Sequence, residues 1–108
     1  MYDVEELIEE TKVTNPSKRA KAVRAICPCK VKKNVEQLWD RIIEMQNDES
    51  ADVRLAVLHN LLDGSPSSME DRVMETVRNL QLDKDKRIKR ICNKVLTVYR
   101  KTGKYNIL

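Results

Sequence analysis

Hydrophobic residues in the segment 49–61 recur with the spacing of one face of an α-helix. In ESADVRLAVLHNL the repeating apolar positions are Val53, Ala56, Val57 and Leu61. Residues spaced by three, four and eight positions lie on the same side of a helix. Ser50 precedes them, and serine is a favoured N-cap residue. The pattern predicts an amphipathic helix that begins after Ser50 and buries the face carrying Leu61.

The same pattern returns downstream and, in a poorer copy, upstream. In KDKRIKRICNKVL, 35 residues later, Asp85 falls on Ser50, so that one N-cap residue replaces another. The matching apolar positions there are Ile88, Ile91, Cys92 and Leu96. Upstream, KAVRAIC matches with a shift of 34 residues, whereas a shift of 33 places Ser17 on Ser50. The sequence leaves the register of this first copy open between the two.

A second kind of helical pattern precedes each copy. NVEQLWDRIIEMQ carries a broad apolar face that includes Trp39, SMEDRVMETVRNLQ carries a narrower one, and YDVEELIEE is short and acidic. Gly64 and Pro66 mark the end of one helix, and Gly103 is expected to end the last. The chain therefore predicts an all-α fold of about six helices, paired as three hairpins covering roughly residues 2–30, 34–64 and 67–102 of a single domain, 1–108.

Composition supports this prediction. The 108 residues are 41% hydrophobic and include no Phe, two Gly and three Pro, which favours helices over a β-rich fold. A chain of this length buries enough surface for one core. No signal-like or membrane-length apolar run is present, and three Cys form no disulfide framework. We therefore expect no membrane association and a cytoplasmic location.

The paired helices and their spacing resemble the HEAT repeat family, including small stand-alone bacterial-type members. NDESADVRLAVL matches the start of that family's second helix well, LDKDKRIKRIC matches with Ile-Lys in place of Val-Arg, and NPSKRAKAVRAI matches weakly. The resemblance spans nearly the whole chain and implies an α-solenoid, an α-α superhelix in which each hairpin buries its faces against its neighbours.

The resemblance also implies particular contacts. In the family, the Arg of the Val-Arg pair and the Asp of the preceding turn pair along the stack, which makes Arg54 and Asp48 the candidates. Lys89 and Asp83 are weaker equivalents. The second helix of each hairpin is expected to line the inner, partner-binding surface, and the acidic first helix and Lys-rich last helix are expected to cap the ends.

No constellation in the sequence indicates an enzyme. Cys27 and Cys29 flank Pro28, but thiolate metal ligands usually come in fours or with His, and only Cys92 and His59 remain. Cys27 matches a core position, so a hydrophobic role is favoured over a metal site. No nucleophile and base pair stands out, and no Gly-rich phosphate loop is present. We expect no catalytic residues, metal, cofactor or small-molecule substrate.

Clustered basic residues are the main functional signal. The net charge is +4, yet residues 83–108 carry nine Lys or Arg and two Asp. The candidate partner-binding residues are Lys18, Lys21, Arg24, Arg54, Lys86, Arg87, Arg90 and Lys94. The favoured function is a non-catalytic scaffold for protein–protein interaction. The alternative is nucleic-acid binding through the basic second helices and the C-terminal region, and a third alternative is an accessory role in a larger enzyme or assembly.

Overall fold

The computed structural model describes residues 4–26 and 36–107, and these contain six α-helices and no strand. The helices are α1 (Val4–Glu10), α2 (Pro16–Ala25), α3 (Glu36–Glu44), α4 (Ala51–Leu62), α5 (Glu70–Leu80) and α6 (Lys86–Thr102). Short 3-10 turns, Met45–Asn47 and Ser67–Met69, follow α3 and precede α5. The predicted all-α class is confirmed. Within the described ranges, each helix is too short or too polar to cross a membrane.

The starts of α2, α4 and α6 are spaced evenly. Their N-cap residues are Asn15, Ser50 and Asp85, 35 positions apart in each step. The Asn15 side chain accepts a hydrogen bond from the Lys18 amide at 3.2 Å, and Asp85 caps the amide of Arg87 at 2.9 Å. The Ser50 side chain makes no capping bond. The first copy therefore aligns at 35 residues, which differs from both shifts considered from the sequence, 33 and 34.

Helix ends match the turn signals in part. Gly103 takes a left-handed conformation with φ of 73° and donates its amide to the Tyr99 carbonyl at 2.8 Å, so it ends α6 as predicted. At the start of α5, Ser67 and Ser68 lie in the 3-10 turn, and Met69 occupies the N-cap position without a side-chain capping bond. This helix therefore begins without a serine side-chain cap.

The helices pack in two series. α1 contacts α3 and α3 contacts α5, while α2 contacts α4 and α4 contacts α6, the α2–α4 contact being the most extensive. We refer to α2, α4 and α6 as the even helices. α4 lies between the other two and is buried on most sides, with Leu61 fully buried as predicted. Trp39 on α3 and Cys92 on α6 also lie in the core, as their apolar-face positions indicated.

The residues after α6 fold back onto the helices. Tyr105 is only 6% exposed and packs edge-on against Tyr99, with ring centroids 6.4 Å apart. The Asn106 side-chain oxygen accepts a hydrogen bond from the Gly64 amide at 3.2 Å. This tail joins the end of α6 to the connection between α4 and α5, an arrangement that the sequence patterns did not predict.

Candidate interaction surface

Two buried arginines form the same contact at two levels of the fold. Arg54 Nε donates to Asp83 Oδ2 at 2.7 Å, and its Nη2 donates to Oδ1 at 3.1 Å. Arg19 makes the equivalent pair with Asp48, both bonds measuring 3.1 Å. The two arginines are each 9% exposed. Two parallel bonds between a guanidinium and a carboxylate fix the orientation of both groups.

Each arginine also anchors its own preceding turn. Arg54 Nη1 donates to the Asp48 carbonyl at 2.8 Å, and Arg19 Nη1 donates to the Thr14 carbonyl at 2.6 Å. The arginine thus links the turn before its own helix to the turn before the next even helix. The two pairs connect α2 to the turn before α4, and α4 to the turn before α6.

The paired aspartates are themselves held by backbone amides. Asp48 Oδ1 accepts from the Ser50 amide and Asp83 Oδ1 accepts from the Asp85 amide, each at 2.9 Å. Burial of Asp83 favours its protonated form, but hydrogen bonds from Arg54 and the Asp85 amide outweigh burial and lower the pKa of Asp83 below its ordinary value. Asp83 is therefore held as a carboxylate.

These contacts correct three predictions made from the sequence. Arg54 pairs with Asp83, one even helix further along than the expected Asp48, whose carboxylate binds Arg19 instead. Lys89 is exposed, and the carboxylate of Asp83 is already occupied by Arg54. Arg54 also cannot serve as a partner-binding residue as predicted, because its guanidinium is buried in this pair. Arg19 was missed, although its 35-residue distance from Arg54 was a usable signal.

The remaining basic residues fall on different surfaces. We call residues equivalent when 35 positions separate them. Lys18 and Lys21 are exposed, whereas their equivalents on α4, Val53 and Ala56, are fully buried. Lys18 and Lys21 line a shallow groove with Val13, between the C-terminal end of α1 and α2. They therefore occupy the outer side of α2, away from its contact with α4.

Arg24, His59 and Lys94 form a separate group, which we call the even-helix row. They are equivalent residues on α2, α4 and α6, and all three are exposed. Arg24 and His59 also line one shallow groove together with Asp63. The buried Asn60 side chain donates to the Val23 carbonyl and so ties α2 to α4 directly beneath this groove. The structure places Arg24 and His59 in one groove and Lys94 at the equivalent position of α6, and His59 had no predicted role.

Arg87 lies beside the row but is engaged in ion pairs. Its Nη2 is 3.1 Å from Asp52 Oδ1, an equivalent-position contact between α6 and α4, and 3.0 Å from Asp85 Oδ2. Hydrogen bonds with Asp85 and Asp52 raise the pKa of Arg87. Lys86 and Arg90, by contrast, are exposed at the start of α6. Much of the positive charge of Arg87 is thus balanced within the chain.

Aliphatic side chains accompany the cations on α6. Ile91 and Val98 are partly buried, and they share a helix face with Lys94 because the three are spaced by three, four and seven residues. Leu55 on α4 is also partly buried, four residues before His59. The exposed side of the even helices therefore combines positive charge with aliphatic surface.

The cysteines were the other candidates for a chemical role. Cys27 and Cys29 lie outside the described residues. Cys92 is fully buried, and that burial raises the pKa of its thiol to about 12. Among residues 4–26 and 36–107, no three His, Cys, Asp or Glu side chains are grouped so that they could hold a metal ion.

Comparison with known proteins gives no relative. The chain matches no family model, no curated protein and no solved structure. Evidence about its function therefore comes from its own geometry.

Proposed function

We propose that this chain is an α-solenoid of three HEAT-like hairpins that acts as a non-catalytic scaffold binding another protein. The observation that carries the proposal is the recurrence of the Arg19–Asp48 contact as Arg54–Asp83, between the same atoms and one 35-residue period later. A repeated contact between successive helices is what stacking of equivalent hairpins requires. The contacts in the order α1–α3–α5 and α2–α4–α6, together with the contacts of α1 with α2, α3 with α4 and α5 with α6, support the same arrangement.

Polar residues on the two terminal even helices, α2 and α6, support a stack whose ends are capped. On α2, Lys18 and Lys21 replace residues that are buried in α4. On α6, Asn93 and Thr97 are exposed, whereas their α4 equivalents Leu58 and Leu62 are fully buried. Terminal repeats of a solenoid need such polar outer faces. Several of the basic residues thus have a structural explanation that involves no partner.

A protein partner suits the remaining exposed surface better than a nucleic acid. The basic track predicted along the second helices is interrupted on α4, because Arg54 is buried and Asp52 stands on the exposed side, paired with Arg87. Within the described residues, the two tyrosines are engaged: Tyr105 is buried and packs edge-on against Tyr99, whose hydroxyl donates to Glu70 at 2.8 Å. Non-specific nucleic-acid binding relies on clustered phosphate contacts and on aromatic platforms.

Affinity capture with and without nuclease tests this proposal. The tagged full chain is incubated with lysate, and the proteins recovered are identified by mass spectrometry. The proposal predicts at least one stoichiometric protein partner that remains bound after nuclease treatment and binds again when both components are purified. Recovery of proteins only while nucleic acid is intact would overturn it in favour of the nucleic-acid alternative.

A further inference from the structure

We propose that the exposed side of the even helices binds an acidic amphipathic helix of the partner, with its carboxylates on Arg24, His59 and Lys94. This inference rests on the scaffold function proposed above. The three residues are exposed and stand at equivalent positions on helices that contact one another in order. They therefore form one line across the fold rather than three unrelated polar side chains.

The spacing of this line suits a helical ligand. Packed helices lie about 8–10 Å apart, so we expect about that distance between successive members of the even-helix row. A helix rises about 1.5 Å per residue, which places side chains seven positions apart about 10 Å from each other on one face. Acidic residues at every seventh position of a partner helix would therefore meet Arg24, His59 and Lys94 in turn.

Aliphatic side chains beside the row indicate that the partner helix also carries apolar residues. Ile91 and Val98 flank Lys94 on the same face of α6, and Leu55 lies next to His59 on α4. Each is only partly buried, so apolar side chains of a partner could cover the exposed remainder. A phosphate backbone offers nothing to cover these aliphatic groups, whereas an amphipathic helix carries apolar residues between its acidic ones.

The charges beside the row also bear on the choice of an acidic ligand. Asp52, two turns before His59 on α4, is paired with Arg87 at 3.1 Å, whereas Asp63 shares the groove with Arg24 and His59 and places one carboxylate at the α2 end of the row. Arg90, exposed one turn before Lys94, adds positive charge at the α6 end of the row. Exposed cationic side chains such as Arg24, Arg90 and Lys94 raise the association rate with an acidic partner and disfavour basic ones.

Titration of the isotopically labelled full chain by NMR tests the proposal. The probe is a synthetic helical peptide with Glu at every seventh position and Leu between them, and the control peptide carries Gln in place of Glu. Single-stranded RNA and duplex DNA are titrated in parallel at about 50 mM salt, where screening is weak. The variant is Arg24→Glu with Lys94→Glu. Its matched control, Arg78→Glu with Arg100→Glu, reverses two charges in a separate groove between α5 and α6.

We expect the Glu peptide to shift resonances on the exposed side of α2, α4 and α6, and the row variant to weaken its binding by about tenfold or more. The control variant should bind within about twofold of the wild type, and the Gln peptide should bind more weakly. If the row variant fails to fold, Arg24→Gln with Lys94→Gln replaces it. Shifts confined to another surface, or no binding, would overturn this inference while leaving the scaffold function open to the capture experiment. Preferential RNA or DNA binding at the row would contradict both.

Discussion

Arg54 and Asp83 are joined by two hydrogen bonds of 2.7 and 3.1 Å, across 29 residues of sequence. Arg19 and Asp48 are joined across the same separation with bonds of 3.1 Å. In each pair the aspartate belongs to the turn that starts the next even helix. The contact therefore fixes where one even helix begins relative to the helix before it, and it does so twice.

Removal of Arg54 should destabilise the fold strongly. Arg54→Ala leaves Asp83 as an unpaired, mostly buried carboxylate and frees the Asp48 carbonyl, so we expect a loss of about 3 kcal/mol in the free energy of unfolding. Urea denaturation followed by circular dichroism measures this. The double variant Arg54→Met with Asp83→Leu should be more stable than Arg54→Ala, since no charge is then left unpaired.

Arg87→Ala is the matched control, because Arg87 also bridges two even helices but does so in solvent. Its melting temperature should stay close to that of the wild type, as exposed ion pairs contribute little. Equal destabilisation by Arg54→Ala and Arg87→Ala would show that the buried pair has no special role.

Acidification should weaken the fold partly through Asp83. The pKa of Asp83 is lowered in the folded protein, so its contribution to stability is fully present above its unfolded pKa of about 3.9. That contribution is lost as the pH falls through the lower folded value. Asp83→Asn should therefore be less stable than the wild type at neutral pH, with the difference shrinking in acid. Urea midpoints measured from neutral pH to about pH 3 check this, and a constant difference would contradict it.

Truncation of Leu61 should leave a cavity between packed helices. Leu61 is fully buried, and Leu61→Ala should cost about 2–5 kcal/mol in the free energy of unfolding. Leu82, which is 85% exposed, provides the matched control, and Leu82→Ala should leave stability almost unchanged. A loss of less than about 1 kcal/mol for Leu61→Ala would mean that α4 buries a different face.

The thiol of Cys92 should be inert while the protein is folded. Burial both blocks access and raises the pKa of Cys92 to about 12, so little thiolate exists near neutral pH. In a variant with Cys27→Ser and Cys29→Ser, a disulfide reagent at about pH 8 should label no thiol until denaturant is added. Stoichiometric labelling in native buffer would contradict the position given to Cys92.

Helix positions could be predicted from the sequence because apolar spacing and capping residues are local signals. The spacing around Leu61 and the glycine at position 103 were sufficient for α4 and for the end of α6. The register of the first hairpin could not be predicted in this way. Lys18 and Lys21 of α2 stand where α4 has buried residues, so the apolar pattern of α2 is depleted. Its N-cap, Asn15, preserved the true register.

Interactions between distant residues could not be predicted in detail. The pairing of Arg54 with Asp83 rather than Asp48 depends on which turn the guanidinium reaches once α4 and α6 have packed. The tail contact of Asn106 with Gly64 has no periodic signal at all. The even-helix row likewise emerges only after the 35-residue register is known, because it joins Arg24, His59 and Lys94 across three helices.

The distance between positions 24 and 94 tests the central claim, that equivalent residues of successive even helices lie in one row. Spin labels are placed at Arg24→Cys and Lys94→Cys, with Cys27, Cys29 and Cys92 replaced by Ala, and their separation is measured by pulsed electron paramagnetic resonance. Two interhelical spacings predict a narrow distribution of label-to-label distances centred at about 20 Å. A broad distribution, or one centred far beyond that distance, would contradict the stacked arrangement and the binding surface built on it.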